Sequence, residues 1–198
     1  MDDILPRQPI SVIVPAEAPS IESERLLLRP VTEADLPALF AIRSRPEVAR
    51  SNHPKTPFSS IEQTREWITS KIFTSGNSDV MGRSFNYAIL DKSLPETPLI
   101  GYVSINEVVP CPEIGYSLLP ESWGKGFATE ALQLMLKVWW GLPRRNWGDE
   151  SEVERVFAIS ERGNVGSCKV LRKCGFKIEK EVDLEVDELF VWSLEKPR

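Results

Sequence analysis

The pattern of apolar and polar positions changes period sharply between Glu113 and Trp140. Residues 113–119 form a short, mainly apolar run rich in β-forming residues, and Pro120 closes it, so the pattern predicts a buried strand. The next apolar residues recur at helical spacing, at Ala128, Ala131, Leu132, Met135, Leu136 and Trp139. Polar residues at 130, 133 and 137 fall on the opposite side, which predicts an amphipathic helix.

The same periodicities assign the rest of the chain. Predicted strands span residues 24–30, 84–90, 99–109, 153–160, 176–182 and 188–194, and predicted helices span about 32–43, 59–73 and 164–175. Because strand 113–119, helix and strand 153–160 follow in order, we expect a parallel pair with a right-handed crossover. Four prolines before residue 20 favour an extended or loosely held arm over residues 1–23, in which 10–14 is a candidate edge strand. The domain proper is expected at 24–198.

Residues 141–152 contain Gly141, Pro143 and Gly148 and a mixed set of charges, which indicates a surface insertion. This insertion follows the C-terminal end of the central helix, whereas the glycine-containing loop before the helix lies at the other end. We therefore expect no catalytic role for residues 141–152.

Composition narrows the classes of function. A chain of 198 residues suits one domain that needs no disulfides to be stable. A net charge of −5, with a pI near 5.1 and no basic run, argues against a nucleic-acid partner. With three cysteines in no C-x-x-C pair and His53 as the only histidine, a metal site is not expected. Because no signal-peptide pattern or membrane-length apolar run is present, we expect a soluble, cytoplasmic protein. For the oligomeric state, a monomer and a homodimer both stay open.

The loop from Trp123 to Thr129 carries the clearest chemical signal. Two glycines let its backbone approach a ligand closely, and the first amides of the following helix have no intrahelical partners. These features, with the helix dipole and the charge of Lys125, favour phosphate binding. The alternative is a glycine-softened turn before an ordinary helix. The chain lacks the pattern G-x-x-x-x-G-K-[ST], and Thr129 stands where a dinucleotide fingerprint has its third glycine.

The loop resembles motif A of the GNAT superfamily of acyl-CoA-dependent N-acetyltransferases, which has the pattern [QR]-x-x-G-x-[GA]. Gly126 and Ala128 match this pattern, whereas Trp123 stands in place of Gln or Arg. The run W-G-K-G-F-A-T-E-A is similar to the RimJ/RimL branch of the superfamily. Residues 163–176 contain a helix N-cap at Asn164 and end in Gly-Phe, and they resemble motif B of the same branch.

The resemblance implies an α+β GNAT fold. Its sheet is mixed and mostly antiparallel, with six or seven strands, helices on both faces and a splayed central pair of parallel strands. Acetyl-CoA would lie in the splay, its pantetheine arm paired with the backbone of residues 117–119 and its pyrophosphate on the amides of residues 125–129. Lys125, Arg162 and Lys169 are candidates for the 3′-phosphate, although solvated cations explain Arg162 and Lys169 equally well. The implied cofactor-binding residues are Ser117, Leu118, Leu119, Trp123, Gly124, Lys125, Gly126, Phe127, Ala128, Thr129, Asn164, Ser167 and Lys169.

Acetyl transfer to a primary amine by direct attack needs a base, a donor to the carbonyl oxygen and an acid for the thiolate. Glu113 is the first candidate base and Glu107 the second, because a carboxylate removes the amine proton directly or through water. The amide of Leu118 or Leu119 would polarise the acetyl carbonyl. Ser167 is the candidate acid. The alternatives are a solvated carboxylate for Glu113 and a hydroxyl that satisfies the helix N-terminus for Ser167.

The amine acceptor is less well defined by the sequence, and a protein N-terminus and a small molecule both stay open. Residues 181–188 carry five acids, which either attract a cationic amine or form one solvated face of a strand. Trp67, Tyr87 and Asn106 are candidates for the acceptor pocket, although aromatic residues at such positions are more often core. Cys168 is expected to be a buried thiol and not a nucleophile. A non-catalytic acyl-CoA-binding module and a nucleotide-binding domain are the rival functions.

Overall fold

Eight strands form one sheet in the part of the chain that the computed structural model describes, residues 4–8, 12–145 and 153–197. The strands are β1 (Ile21–Glu22), β2 (Leu26–Pro30), β3 (Phe85–Asp91), β4 (Leu99–Glu107), β5 (Glu113–Leu118), β6 (Arg155–Glu161), β7 (Lys177–Asp183) and β8 (Glu188–Glu195). Their order is β1-β2-β3-β4-β5-β6-β8-β7, and all neighbours are antiparallel except the parallel pair β5 and β6. The predicted fold class is confirmed, and the short β1 adds an edge strand to it.

Helices cover both faces of this sheet. They are α1 (Leu36–Arg43), α2 (Pro46–Ala49), α3 (Ile61–Thr69), α4 (Phe127–Gly141) and α5 (Val165–Lys173). Leu39 and Ile42 of α1 pack with Tyr102 of β4, whereas α4 packs on the other face with residues such as Ile105. Side chains of a strand alternate between faces, so Tyr102 and Ile105 of the same strand belong to different layers.

The central helix α4 has the amphipathic character that the spacing of its apolar residues predicts. Trp139 is fully buried, and its ring lies edge-on to Phe85 of β3 with centroids 5.4 Å apart. Burial of one such large apolar side chain contributes about 1.5–3 kcal/mol. This packing fixes α4 against the sheet and therefore fixes the loop at its N-terminal end.

The N-terminal arm is held more firmly than its prolines suggest. Val12 and Val14 are fully buried and belong to the main core, and Val12 makes an isolated bridge to Arg144. Residues 10 and 11 of the candidate edge strand lie outside the described residues. The N–H of Val14 also donates to the carbonyl oxygen of Asp79 at 3.1 Å. Of the two expectations for the arm, an extended or a loosely held segment, the packing of these two valines in the core favours the extended one for residues 12–14.

The predicted insertion at 141–152 is described only as far as residue 145, and its remaining residues lie outside the described ranges. Arg144 forms an ion pair with Glu154 at 2.7 Å, and Arg145 pairs with Asp79. These contacts anchor the C-terminal end of α4, on the side away from the glycine loop.

Candidate active site

The strands β5 and β6 separate soon after they begin, and a cavity opens between them. They pair only at Glu113 and Phe157. Beyond that point a cavity of about 810 Å³ is lined by residues 116–118 of β5, by the glycine loop and by the start of α5. Residues 47–52, which include the end of α2, line it as well. The splay that the sequence predicts is thus a groove at the C-terminal ends of the two strands.

The glycine loop takes a conformation that other residues rarely adopt. Gly124 and Gly126 have φ values of +74° and +85°, in the left-handed region that favours glycine. Steric crowding does not explain why glycine occupies these positions. A Cβ at Gly124 would meet no atom within 4 Å, and one at Gly126 would meet only Arg25 Nη2 at 3.6 Å. Gly126 is the N-cap of α4, so the first amides of the helix open into the cavity. This geometry suits an anion.

Arg25 holds the loop from behind, which the sequence did not indicate. Its Nη1 donates to the carbonyl oxygen of Lys125 at 3.1 Å, and its Nε donates to the carboxylate of Glu130 at 2.9 Å. The guanidinium also lies over the ring of Phe127, 4.8 Å from the centroid. Ser23 donates a further hydrogen bond to Glu130. Because Arg25 precedes the first long strand, its sequence context indicated only a charged strand end.

Trp123 closes the loop back onto β5. Its Nε1 donates to the carbonyl oxygen of Leu118 at 2.9 Å, so that oxygen already has a partner. The N–H of Leu119 is also engaged, since it donates to the carbonyl oxygen of Ile100 at 2.8 Å. Of the two amides proposed to polarise a carbonyl, only that of Leu118 is open to the cavity.

The register of β4 and β5 identifies a second open amide. Residues of an antiparallel pair alternate between bonded and non-bonded positions, and Leu119 bonds to β4. The amides of Leu118 and Tyr116 therefore point toward β6, which has diverged by then. Ser117 points its backbone toward β4, and its hydroxyl exchanges hydrogen bonds with Asn52 at 3.0 and 3.1 Å. The backbone of Tyr116 is thus better placed for a ligand than that of Ser117 or Leu119.

The start of α5 forms the opposite wall of the cavity. The side chain of Asn164 caps the helix by accepting from the N–H of Ser167 at 3.0 Å. Ser167 lines the cavity, and its carbonyl oxygen accepts from the hydroxyl of Tyr116 at 3.4 Å. Burial raises the pKa of Tyr116 far above its ordinary value, so this phenol stays protonated. Tyr116 is therefore a second candidate proton donor in the cavity lining, beside Ser167.

The candidate phosphate cations divide into two groups. Lys169 lines the cavity, and Lys173, one turn further along α5, lines it too. Arg162 instead pairs with Glu181 at 3.3 Å and Asp183 at 2.9 Å on the β7–β8 hairpin. Lys125 is exposed at the loop. The structure thus favours Lys169 over Arg162 as a partner of an anion in the cavity.

The candidate bases lie on the α1–α3 face, outside the cavity lining. Glu113 accepts from Asn106 Nδ2 at 3.5 Å, and Asn106 Oδ1 accepts from Lys71 at 2.8 Å. Burial raises the pKa of Glu113, although the nearby charge of Lys71 lowers it. Glu107 is exposed and lies opposite Glu113 in the β4–β5 register. A half-buried carboxylate with a raised pKa is the better base near neutral pH, so the geometry favours Glu113 over Glu107.

The acidic hairpin is largely paired already. Arg162 forms ion pairs with Glu181 and Asp183, and Lys55 bridges Glu161, at 2.5 Å, and Asp187. Lys55 belongs to the segment between α2 and α3, so it joins this segment to the hairpin beside the cavity-lining Glu161. Fewer free acids therefore face an incoming amine than the sequence suggests.

The remaining candidates for the acceptor pocket separate by face. Tyr87 is fully buried in the core beneath α4 and is not among the residues that line the cavity. Trp67 and Asn106 lie on the α1–α3 face, where the Trp67 ring packs on Tyr102 with centroids 4.7 Å apart. Cys168 is buried, with its Sγ 3.7 Å from Ser160 Oγ. A buried thiol was expected there.

Among residues 4–8, 12–145 and 153–197, no group of three or more His, Cys, Asp or Glu residues is arranged to hold a metal ion. In the same residues, no helix combines the length and the apolar character needed to cross a membrane.

Comparisons with known proteins agree with this geometry. A family model described as an acetyltransferase (GNAT) domain matches residues 25–177. An uncharacterised N-acetyltransferase of Bacillus subtilis strain 168, YoaA, is 30% identical over 162 residues, which cover 81% of this chain and 84% of the relative.

Two solved structures are similar in fold. RimL, a ribosomal L7/L12 α-N-protein acetyltransferase in complex with coenzyme A, has a TM-score of 0.69 at 21% identity, with 89% of this chain and 98% of that chain covered. A spermidine N-acetyltransferase from Vibrio cholerae in complex with CoA and spermine has a TM-score of 0.64 at 17% identity, with 88% and 97% covered.

Proposed function

Since the chain belongs to the GNAT acetyltransferase family, we propose that it transfers the acetyl group of acetyl-CoA to a primary amine by direct attack in a ternary complex. The main support for the proposal is that the unpaired edge of β5 and the N-terminus of α4 line the same cavity. The unpaired edge of β5 offers the amides of Tyr116 and Leu118 to an extended ligand, and the N-terminus of α4 offers amides to an anion.

The residues present fit acetyl-CoA. When bound, acetyl-CoA supplies an activated acyl group as a thioester. The amides of residues 126–129 and the cation of Lys169 meet the needs of its phosphates, and the groove beside β5 accepts an amide-bearing arm as an added strand. The indole N–H of Trp123 already donates to the carbonyl oxygen of Leu118. The carbonyl oxygen of Tyr116 is therefore the acceptor that β5 offers to a ligand on this edge.

Each chemical need of the transfer has a candidate group. The amide of Tyr116, with that of Leu118 one pleat away, stabilises negative charge on the carbonyl oxygen. Glu113 takes the proton of the attacking amine directly or through water, and the hydroxyl of Ser167 or Tyr116 gives a proton to the departing thiolate. The C–N bond forms as the C–S bond breaks, and exchange with water restores both proton carriers.

The similar proteins support two acceptor classes. RimL acts on a protein N-terminus, as its description states, and the Vibrio enzyme acts on spermidine. The tryptophan variant of the loop motif and the N-x-x-S start of α5 favour the RimJ/RimL-like branch, and with it a peptide α-amine. The partial neutralisation of the acidic hairpin by Lys55 and Arg162 argues the same way, since it leaves less charge to attract a polyamine.

A free-thiol release assay with acetyl-CoA tests the proposal against a panel of peptides, polyamines and amino acids. We expect release with at least one primary amine and a sequential initial-rate pattern. Release with no member of the panel, together with tight CoA binding, would favour the non-catalytic acyl-CoA-binding module. Thermal-shift measurements test the other rival, a nucleotide-binding domain. We expect acetyl-CoA to raise the melting temperature well beyond ATP or NAD at equal concentration.

A further inference from the structure

A chain of polar side chains lies on the α1–α3 face of the sheet and ends at Glu113. Lys71, just after α3, donates to Asn106 Oδ1 at 2.8 Å, and Ser104 donates to the same oxygen at 2.7 Å. With its oxygen bonded twice, the Asn106 amide points its Nδ2 at Glu113, 3.5 Å from Oε1. The orientation of Asn106 is therefore set by two donors and not by Glu113 alone.

Lys71 is itself held in place by aromatic packing. Its Nζ lies 5.5 Å from the centroid of the Trp67 ring, and the guanidinium of Arg43 lies 5.4 Å from the same ring. Trp67 is fixed in turn by its edge-on contact with Tyr102. Such cation–π contacts are worth more when desolvated, and burial lowers the pKa of Lys71. The lysine is thus kept beside Asn106 rather than in solvent.

The backbone of β5 is shaped to admit this chain of contacts. A Cβ at Gly115 would lie only 2.6 Å from Asn106 Nδ2, so a larger residue would push the amide aside. Gly115 stands two residues from Glu113, on the same face of the strand. The Asn106 side chain therefore packs over Gly115, the one glycine of β5.

The charges around Glu113 act in opposite directions. Lys71 is the cation whose charge favours ionised Glu113, whereas Glu107 at the end of β4 disfavours it. The charges of both carboxylates add to the effect of burial in raising the pKa of the Cys111 thiol, and the charge of Arg43 adds to the effect of burial in lowering the pKa of Lys71. Phe157 of β6 and Leu5 of the N-terminal arm contribute apolar surface to the cluster that contains Cys111. Burial raises the pKa of Glu113, and the charge of Lys71 offsets part of that rise.

We propose that Lys71 and Asn106 are positioning residues for Glu113: Lys71 places a positive charge near the carboxylate and holds the Asn106 amide, and Asn106 supplies the hydrogen bond that orients the carboxylate. The inference rests on the proposed function, in which ionised Glu113 is the base. Neither residue touches the cofactor cavity, since both lie outside its lining. Their effect is therefore exerted through Glu113 alone.

The direct test is the titration of the Glu113 carboxyl carbon by ¹³C NMR, with the signal assigned by Glu113→Gln. We expect Lys71→Met to move the midpoint to higher pH, Lys71→Arg to restore it, and Glu107→Gln to move it to lower pH, because that change removes the opposing anion. Asn106→Leu should move it upward less than Lys71→Met does. Equal midpoints in the wild type and in folded Lys71→Met and Asn106→Leu proteins would overturn the inference.

The kinetic test uses the pH profile of kcat/KM with the best acceptor from the thiol-release panel. For Lys71→Met we expect the acid limb to move to higher pH, with a loss of about tenfold on that limb and near wild-type activity at alkaline pH. A merely structural role would lower kcat/KM by the same factor at every pH. The NMR titration needs no acceptor. It therefore tests the effect of Lys71 on Glu113 even if the protein shows no transferase activity. Unchanged CoA affinity and melting temperature serve as controls for folding.

Discussion

The indole Nε1 of Trp123 donates to the carbonyl oxygen of Leu118 at 2.9 Å, which joins the glycine loop to the strand it follows. The ring is half exposed, so this bond and not burial is its main contribution. Residue 123 is where the general motif has Gln or Arg. In this chain the tryptophan ties two parts of the cofactor cavity together, because Leu118 and the loop are both in its lining.

Trp123→Phe should weaken CoA binding while leaving the fold intact. The change removes one neutral hydrogen bond, worth about 1 kcal/mol, which corresponds to roughly a fivefold rise in Kd. Isothermal titration with CoA measures it. Trp140→Phe, at the far end of α4, is the matched control and should leave the Kd unchanged. Equal affinities for all three proteins would show that the tether does not matter.

Gly126→Val should raise the Kd for CoA by at least about tenfold. A β-branched residue at φ +85° is strained by more than 1 kcal/mol, so the N-cap of α4 must change conformation. Gly141→Ala is the control at the other end of α4, where an added Cβ meets no atom within 4 Å. Wild-type affinity in Gly126→Val would remove the loop from the phosphate site.

Arg25→Ala should loosen the loop from behind and raise the Kd for CoA about fivefold. The side chain is partly exposed, so its ion pair with Glu130 and its bond to Lys125 together contribute about 1 kcal/mol. A double-mutant cycle with Glu130→Ala isolates the pair. Because the two residues share the ion pair, the double variant should lose less affinity than the sum of the two single losses. Full additivity would contradict the clamp.

Two buried tyrosines should respond in opposite ways to loss of the hydroxyl. The Tyr87 hydroxyl is buried without a hydrogen-bond partner among the described residues, and burial raises its pKa to about 12. The Tyr102 hydroxyl donates to Asn52 Oδ1 at 3.2 Å. We expect Tyr87→Phe to stabilise the protein by about 1 kcal/mol and Tyr102→Phe to destabilise it by about 1 kcal/mol. Urea unfolding measures both, and destabilisation by Tyr87→Phe would point to an unseen partner such as water.

The layout of the fold and the position of the glycine loop before α4 were predictable because they depend on local patterns. Apolar spacing marks α4, and Asn164 and Gly175 mark the ends of α5 as N-cap and as a residue with φ +90°. Contacts between distant segments leave no such pattern. Arg25 and Glu130 are 105 residues apart, and Lys71 and Asn106 are 35 apart, so each pair is adjacent only after the sheet has formed.

The sequence also did not reveal which backbone amides of β5 are free to bond a ligand. Residues 117–119 were assigned to a ligand as a run, but their amides alternate in direction, and Leu119 is used by Ile100. The same alternation brings in Tyr116, which no motif marked. The register with β4, in which Leu118 lies opposite Gly101, decides which amides are free, and alternation of apolar residues does not reveal that register.

Glu113→Gln should make the protein more stable at neutral pH while it lowers activity. Burial raises the pKa of Glu113 above its ordinary value of 4.5, so folding favours the protonated form. The stability that this group contributes is fully present below its unfolded pKa and is lost as pH rises through the higher folded pKa. Glutamine carries no charge and keeps a hydrogen-bonding amide, so it avoids that loss. We expect the two proteins to unfold at similar urea concentrations near pH 4 and the variant to be the more stable at pH 8. A wild type that gained stability relative to the variant as pH rose would mean that Glu113 is better stabilised as an anion than its burial allows.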